Sequence, residues 1–500
     1  MGAEQQIAFF LRELADGDIW RRAAAVKGLG RVGREEHAWA LVGSADDRAP
    51  EVREAVAVGL GRLGVAEAGR AVLPALMGDE DPWVRRRASR AAIRLGLDDP
   101  EIVESFSTLL RDPDHHLRIN GLDGLRALDV PGDVPALVAL LGDPEGAVWG
   151  RARSLVYRFR DDPAVSAEVV RTAEQGAGDA RVQALQLLPG HWTERLLDSL
   201  VQGLHDDSAK VRSAVAGRLL DVKDAQTQDA LVEALDAERS ARVADLLMHG
   251  LGRRAEERVT GAATRWLGDT AAGPSAAYAL GAAGTRAAAG TLRTAVTDPA
   301  LPGRSRAAAA KAIGQAGRWD AVWLLLPLLD DPDGDVRAGA VEGLEALVDD
   351  GLRPWERRSV ARALVAHLAA DPNTVRQTHN ALIGLADALP GLRQIVDRTP
   401  SPDVRAAALS LLDTDNATDE NTGQDLPRFV HALDDPDETV RFHAVEGLAH
   451  WLVATKRLPQ NEEQLRARLT ALASDTSTAE TRAAAEEALE VLDGCRPFSP

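Results

Sequence analysis

The chain has 500 residues, a formal charge of -19, 45% hydrophobic and 27% charged residues, and one cysteine, Cys495. That composition fits a soluble globular protein and not a disordered one, and its acidity argues against a generic binder of nucleic acid or anionic membrane. A lone cysteine makes neither an intramolecular disulfide nor a multi-cysteine metal site and suits a reducing cytoplasm, and no apolar run approaches the roughly 20 residues of a membrane helix.

Along the chain, Met1 to Gln6 lacks the basic region and cleavage site of a signal peptide, and Gln6 breaks the myristoylation pattern at Gly2. Ile7, Phe9, Phe10 and Leu11 predict an opening helix buried against the next element; exposure of this cluster would point to a dimer. From there one phrase recurs at a period of about 31 residues. It is an acidic turn, often with Pro, then an aliphatic residue followed by Arg, then small and aliphatic residues at helical spacing. Clear copies pair Asp47 with Val52-Arg53, Asp81-Pro82 with Val84-Arg85, Asp112-Pro113 with Leu117-Arg118, and Asp206-Asp207 with Val211-Arg212. Later ones pair Asp331 with Val336-Arg337, Asp371 with Val375-Arg376, Pro402-Asp403 with Val404-Arg405, and Asp435 with Val440-Arg441. Weaker copies near Trp20-Arg21, Val148-Trp149, Arg181, Arg242, Arg306 and Arg482 bring the total to roughly fourteen or fifteen.

The turn Asp caps the helix that follows, and Pro is tolerated in its first turn. Val84, Ala88, Ala91, Ala92 and Leu95 then fall on one helical face. A second apolar stretch such as Ala136 to Leu141 separates successive phrases, so each unit is a pair of antiparallel helices that buries its face only by stacking. The expected fold is an all-α solenoid of about fourteen or fifteen stacked pairs, a curved rod on the order of 130 Å long at the usual helix spacing. Within one solenoid over 1–500, residues 1–260 read as regular repeats and 261–300 as weak Ala/Gly-rich repeats, softer or more sharply curved. Residues 301–500 read as repeats with longer loops, because the Arg spacing after Arg337 grows to 39, 29, 36 and 41 residues. Asp413 to Asp425 reads as a solvated insertion loop, alternatively a flap that touches a partner.

These phrases resemble HEAT repeats, specifically the short HEAT-like repeats of the phycobilin-lyase type, over nearly the whole chain. The resemblance implies a ladder between neighbouring repeats, with turn Asp and second-helix Arg as its members. Carried onto this sequence, those are Asp81, Arg85, Asp112, Arg118, Asp331, Arg337, Asp435 and Arg441. It also implies that the second helix of each pair lines the concave side. Positions opposite the core face there are Glu54, Arg86, Arg90, Ile119, Asp123, Arg126 and Tyr157 in the N-terminal third, and Glu342, Phe442 and Glu446 toward the C-terminus.

Chemistry is scarce. No phosphate loop, zinc-ligand spacing or nucleophile elbow stands out, so neither catalytic residue nor cofactor is expected. His115-His116 beside Asp112 and Asp114 reads as a repeat turn, and His443, Glu446 and His450 are spread too far along one helix for a single ion. Trp149, Arg151, Arg153 and Arg158, with Tyr157 among them, form a basic-aromatic cluster of the kind that holds phosphate-bearing ligands; a solvated helix face is the plainer reading, since Arg outnumbers Lys 53 to 5. Residues 1–160 hold 22 basic and 25 acidic side chains, a balance of -3 that leaves -16 for the rest, which suits an elongated partner with an acidic end facing repeats three to five.

The leading expectation is a non-catalytic, cytoplasmic scaffold that binds a protein or peptide on its concave surface, from a bacterium by its Arg and Ala bias. The alternatives are nucleic-acid binding through a local basic face in repeats three to five, which the acidity disfavours, and an accessory enzyme of the bilin-lyase type. The partner, pathway and oligomeric state are not written in the sequence.

Overall fold

In the computed structural model, the described residues are 2–188, 192–317, 320–349, 351–413, 419–455, 459, 461–474 and 478–494. They contain thirty α-helices and no strand, an all-α solenoid, and divide into two compact units, Met1–Ala230 and Leu231–Pro500. The first unit opens with α1 (Ala3–Asp16), α2 (Ile19–Val32), α3 (Ala38–Val42), α4 (Pro50–Leu63) and α5 (Ala66–Met77). It continues with α6 (Pro82–Leu95), α7 (Pro100–Leu109), α8 (His115–Leu128), α9 (Val134–Ala139) and α10 (Gly146–Arg158). The even-numbered second helices pack on one another in sequence, as do α3, α5 and α7 among the first helices, so two helical layers share one core.

Local sequence accounts for the helix ends. Asp18, Asp81, Asp114 and Asp133 are N-caps whose carboxylates accept amide protons of the first turn at 2.8–3.2 Å. Pro50, Pro82 and Pro100 open helices where the missing N–H is not needed. Gly64 (φ 79°) and Gly96 (φ 64°) close α4 and α6 in the left-handed region, which a side chain enters only with strain. Between the caps Val52, Val56 and Leu60 of α4 and Val84, Ala88 and Ala92 of α6 are wholly buried. Each Val or Leu side chain among them contributes about 1.5–3 kcal/mol on burial.

A ladder of arginine forks links the turns. Arg53 Nε and Nη2 donate to Asp79 at 2.6 and 2.8 Å, while Nη1 donates to the Asp47 and Arg48 carbonyls of its own turn. Asp79 also accepts the Asp81 amide at 2.9 Å, so each rung ties two turns and stiffens one. Equivalent rungs are Arg22–Asp47, Arg85–Asp112, Arg118–Asp143 and Arg181–Asp206 in the first unit. The second unit has Arg306–Asp331, Arg337–Asp371 and Arg405–Asp435. Burial pushes the Asp79 carboxyl up, but the Arg53 fork and the Asp81 amide outweigh it and hold it below the ordinary carboxylate range. Asp331 and Asp371 are held down in the same way by Arg306 and Arg337.

One member of the ladder read from sequence stands elsewhere. Asp81 is the cap of α6, and the rung in its turn is Asp79, which lies six residues before Arg85 instead of four. Arg441 donates to the Asp435 and Pro436 carbonyls of its own turn and to Glu438, which accepts the Thr478 amide at 2.9 Å; residues 475–477 of the next turn lie outside the described residues. That amide, against a smaller burial penalty, lowers the Glu438 pKa to about 2.

Other expectations meet the structure as follows. In α1, Ile7 is buried and the Phe10 ring lies over Gly28, while Phe9 and Leu11 are 41% and 37% exposed. The Ala/Gly-rich stretch forms tight helices, with Ala276, Ala277, Ala279 and Leu280 all buried in Gly273–Ala283. The wider spacing of the last third is taken up in part by longer helices, among them Gly334–Asp349, Pro354–Ala370 and Glu438–Thr455. Of the acidic segment read as a loop, Asp413 ends one helix and Asp419–Ala432 forms another; 414–418 lie outside the described residues. Asp425 is buried there and holds the Arg393 fork at 2.8 and 2.9 Å, an anchoring pair that the polar composition of the segment conceals. Cys495 also lies outside the described residues.

Candidate binding surface

The second helices of the first unit differ in how much they show to solvent: in α4 only Arg62 and in α8 only Arg126 and Ala127 are exposed, whereas α2, α6 and α10 each expose four residues or more. Their surface has a strong sign. Helices α2, α4, α6, α8 and α10 carry sixteen Lys or Arg against three carboxylates, Glu51, Glu54 and Asp123. The first helices α1, α3, α5, α7 and α9 carry two arginines against six carboxylates. The near-neutral balance of residues 1–160 therefore hides two faces of opposite charge.

Part of the positive charge is already paired. Arg22, Arg53, Arg85 and Arg118 serve the ladder, and Arg87 donates to Glu54 at 2.9 Å across α4 and α6. Of the basic-aromatic cluster, Arg151 donates to Asp123 at 3.2 Å, Arg153 to Gln183 at 3.2 Å and Arg158 to Asp129 at 2.6 Å. Each arginine goes to a different neighbour, and Trp149, half-buried, occupies the ladder position without a rung. Tyr157 is 58% exposed, with the Arg160 guanidinium 4.6 Å from its ring centre.

The residues read as facing the groove are differently placed. Arg86 is half-buried and lies 5.5 Å from the Trp83 ring centre, Arg90 and Arg126 are exposed, and Ile119 is half-buried. Glu54 and Asp123 are engaged by Arg87 and Arg151. In the second unit Glu342 pairs with Lys311 at 2.9 Å, and Phe442 meets the His443 ring edge-on. Glu446 stands 3.1 Å from His443 Nδ1, and His450 stands 2.8 Å from Asp413, so the two histidines belong to separate pairs. The Asp114, His115 and His116 ligand atoms lie within 4.8 Å of one another. They sit at the positive end of α8, which opposes a cation, and Asp114 is committed to the His116 amide at 2.9 Å.

Sequence reading named only Arg126 of one row. Arg31, Arg62, Arg94 and Arg126 stand in the last turns of α2, α4, α6 and α8, are all exposed, and make no ion pair among the described residues. Three of them lie nine residues after a ladder arginine, just outside the stripe opposite the core, so a strict opposite-face reading passes over them. Beyond this row, Gly146, Ala147 and Gly150 leave α10 low against α8 and open a cleft of about 220 Å³ over Leu122 and Leu155, rimmed by Asp123, Arg126 and Arg151.

Comparison with known proteins adds the family. A model of HEAT repeats matches residues 7–94, 69–156, 270–344, 300–386 and 389–490. A chain of the structure in which Kap95p binding induces the switch loops of RanGDP to adopt the GTP-bound conformation is similar at TM-score 0.51 and 10% identity, covering 97% of this chain and 75% of that one. Kap121p is similar at TM-score 0.52 and 13% identity over 99% of this chain and 57% of that one, so this chain spans little more than half of its length. Importin beta is similar at TM-score 0.50 and 13% identity, covering 98% and 75%. At such identities the likeness is one of fold. No curated protein matches the sequence.

Proposed function

The chain belongs to the HEAT-repeat family, and from that premise we propose that it is a non-catalytic scaffold that binds a protein partner through the second-helix face of its first unit. The observation that carries this reading is the basic surface of the second helices α2 to α10, where nine of the sixteen Lys or Arg are exposed and none of the three carboxylates is, in a chain of net charge -19. A molecule that spends most of its acidic excess elsewhere keeps one face free to attract the opposite sign. Kap95p binding to RanGDP is an instance of the same fold engaging a protein.

The face is where the candidate residues Arg86, Arg90 and Arg126 would act, with Glu54, Asp123 and the arginines they hold setting the register. A photo-crosslinking amino acid placed at Val58 on α4, compared with one at Glu101 on α7, tests this in the native cell extract. The scaffold reading expects a stoichiometric protein adduct at position 58, absent at 101 and lost on reversal of Arg86 and Arg90 to Glu. Adducts of nucleic acid at position 58, or protein adducts at 101 only, would refute it.

A further inference from the structure

We propose that Arg31, Arg62, Arg94 and Arg126 form a rail for an extended acidic segment of the partner, one carboxylate to each second helix. The proposal rests on the scaffold reading and adds the chemistry and spacing of what the face holds.

The four arginines stand in the last turns of α2, α4, α6 and α8, and these helices pack directly on one another. Neighbouring packed helices are about 8–10 Å apart, so the row offers one guanidinium at each such step. A segment in the polyproline II conformation repeats every three residues, about 9 Å. Acidic side chains at every third position of such a segment meet the row in step, and an extended segment needs no fold of its own. Arginine is the suited cation, because its planar fork takes a carboxylate through two parallel hydrogen bonds.

Helix-end electrostatics alone do not explain the row. A cation in the last turn is favoured at every helix. Yet in the second unit no second helix has a Lys or Arg there: Gly273–Ala283, Gly303–Gln315, Gly334–Asp349, Pro402–Asp413, Glu438–Thr455 and Ala479–Gly494 carry no basic residue, and Ala241–Gly252 and Val375–Leu382 carry only His249 and His379. The arginines are also not needed by the fold, since all four are exposed and unpaired among the described residues. A nucleic-acid duplex fits the row less well. It presents a charge about every 1.7 Å, far denser than one arginine per helix. The opposite ends of the same helices, about 20 Å away for fourteen residues, are bordered by acidic turns such as Asp79-Glu80-Asp81 that repel a broad polyanion.

The test uses the full-length protein and fluorescence anisotropy with three labelled probes: a peptide of four Glu-Pro-Pro units, an isomer with its glutamates contiguous, and duplex DNA of about 20 base pairs. The expected result is that the spaced peptide binds about tenfold more tightly than its isomer and than the duplex, with affinity falling as salt rises. Arg62→Glu with Arg94→Glu should weaken it at least about tenfold, and Arg62→Gln with Arg94→Gln by less. Arg398→Glu, an exposed arginine in the second unit, should leave it unchanged. Circular dichroism of each variant should match the parent. Equal binding of the two peptides, preference for the duplex, or indifference to the Arg62 and Arg94 changes would overturn the rail. If the partner crosslinked at position 58 persists in the Arg62→Glu, Arg94→Glu variant, the rail fails and the scaffold stands; if neither peptide nor partner binds, both fail.

Discussion

At the scale of single residues, the rungs are where most can be lost by one substitution. Arg53 and Asp79 are 11% and 8% exposed at their side chains, and the pair also secures three backbone groups of two turns. Removing one partner of such a pair leaves a buried charge uncompensated, which costs more than the pair itself contributes. Arg53→Ala is therefore expected to lower unfolding stability by about 3 kcal/mol. Arg53→Met combined with Asp79→Asn, which removes both charges and keeps an acceptor for the Asp81 amide, should cost clearly less than the two single changes added. Urea unfolding of the four proteins of this cycle measures the coupling, and additive losses would show that Arg53 and Asp79 do not act as a unit. Sequence alone located Arg53 but not its acceptor, because a repeat turn offers several carboxylates, here Asp79, Glu80 and Asp81, and the one with the geometry stands six residues before the next ladder arginine, not four.

At the scale of helices, glycine has two opposite uses in this fold. Gly314 lies where the helices Gly303–Gln315 and Gly334–Asp349 touch backbone to backbone, and a Cβ there would stand 2.1 Å from the Gly343 carbonyl oxygen. Gly150, in α10, has nothing within 4 Å of where its Cβ would be. The same change should thus act with opposite sign: Gly314→Ala forces the two helices apart and destabilises by about 1–3 kcal/mol, whereas Gly150→Ala gains helix propensity and stabilises by up to about 1 kcal/mol. Thermal melts of the two variants decide it. Helix identity and pairing were legible from the repeat phrase, since caps, Pro and apolar spacing all act locally. Which glycine is a contact and which merely lines a cleft was not, because that depends on the neighbour's backbone. Charge shows the same limit: a count along residues 1–160 averages over first and second helices and so conceals a basic face that exists only once alternate helices are sorted into two layers.

At the scale of the molecule, both units carry the ladder, and its carboxylates set the response to acid. Asp47 is held below its ordinary value by the Arg22 fork against a burial penalty; in Asp79, Asp331 and Asp371 burial is the largest influence, but their arginines and turn amides prevail. A carboxyl whose folded pKa is depressed contributes stability that is complete above its unfolded value, about 3.9, and lost as pH falls through the folded one. Asp413 and Glu345 have the opposite sign, since burial raises them, so their contribution is complete in acid and lost as pH rises through their folded values. The depressed rungs occur in each unit, whereas the raised groups both lie in the second. The rungs should therefore keep their full contribution above about pH 5 and lose it below about pH 4; in the second unit the raised carboxyls, and His367 and His379, which burial lowers and which lose their contribution as pH falls below about 6.5, make stability depend on pH above 5 as well. Hydrogen exchange of peptides from α4 and α6 against those from Pro354–Ala370, followed from pH 7.5 to pH 3 with correction for intrinsic rates, would read this difference. Asp79→Asn should flatten the acid limb in α4 and α6 alone, and a decline unchanged by that substitution would place the acid-sensitive group outside the ladder.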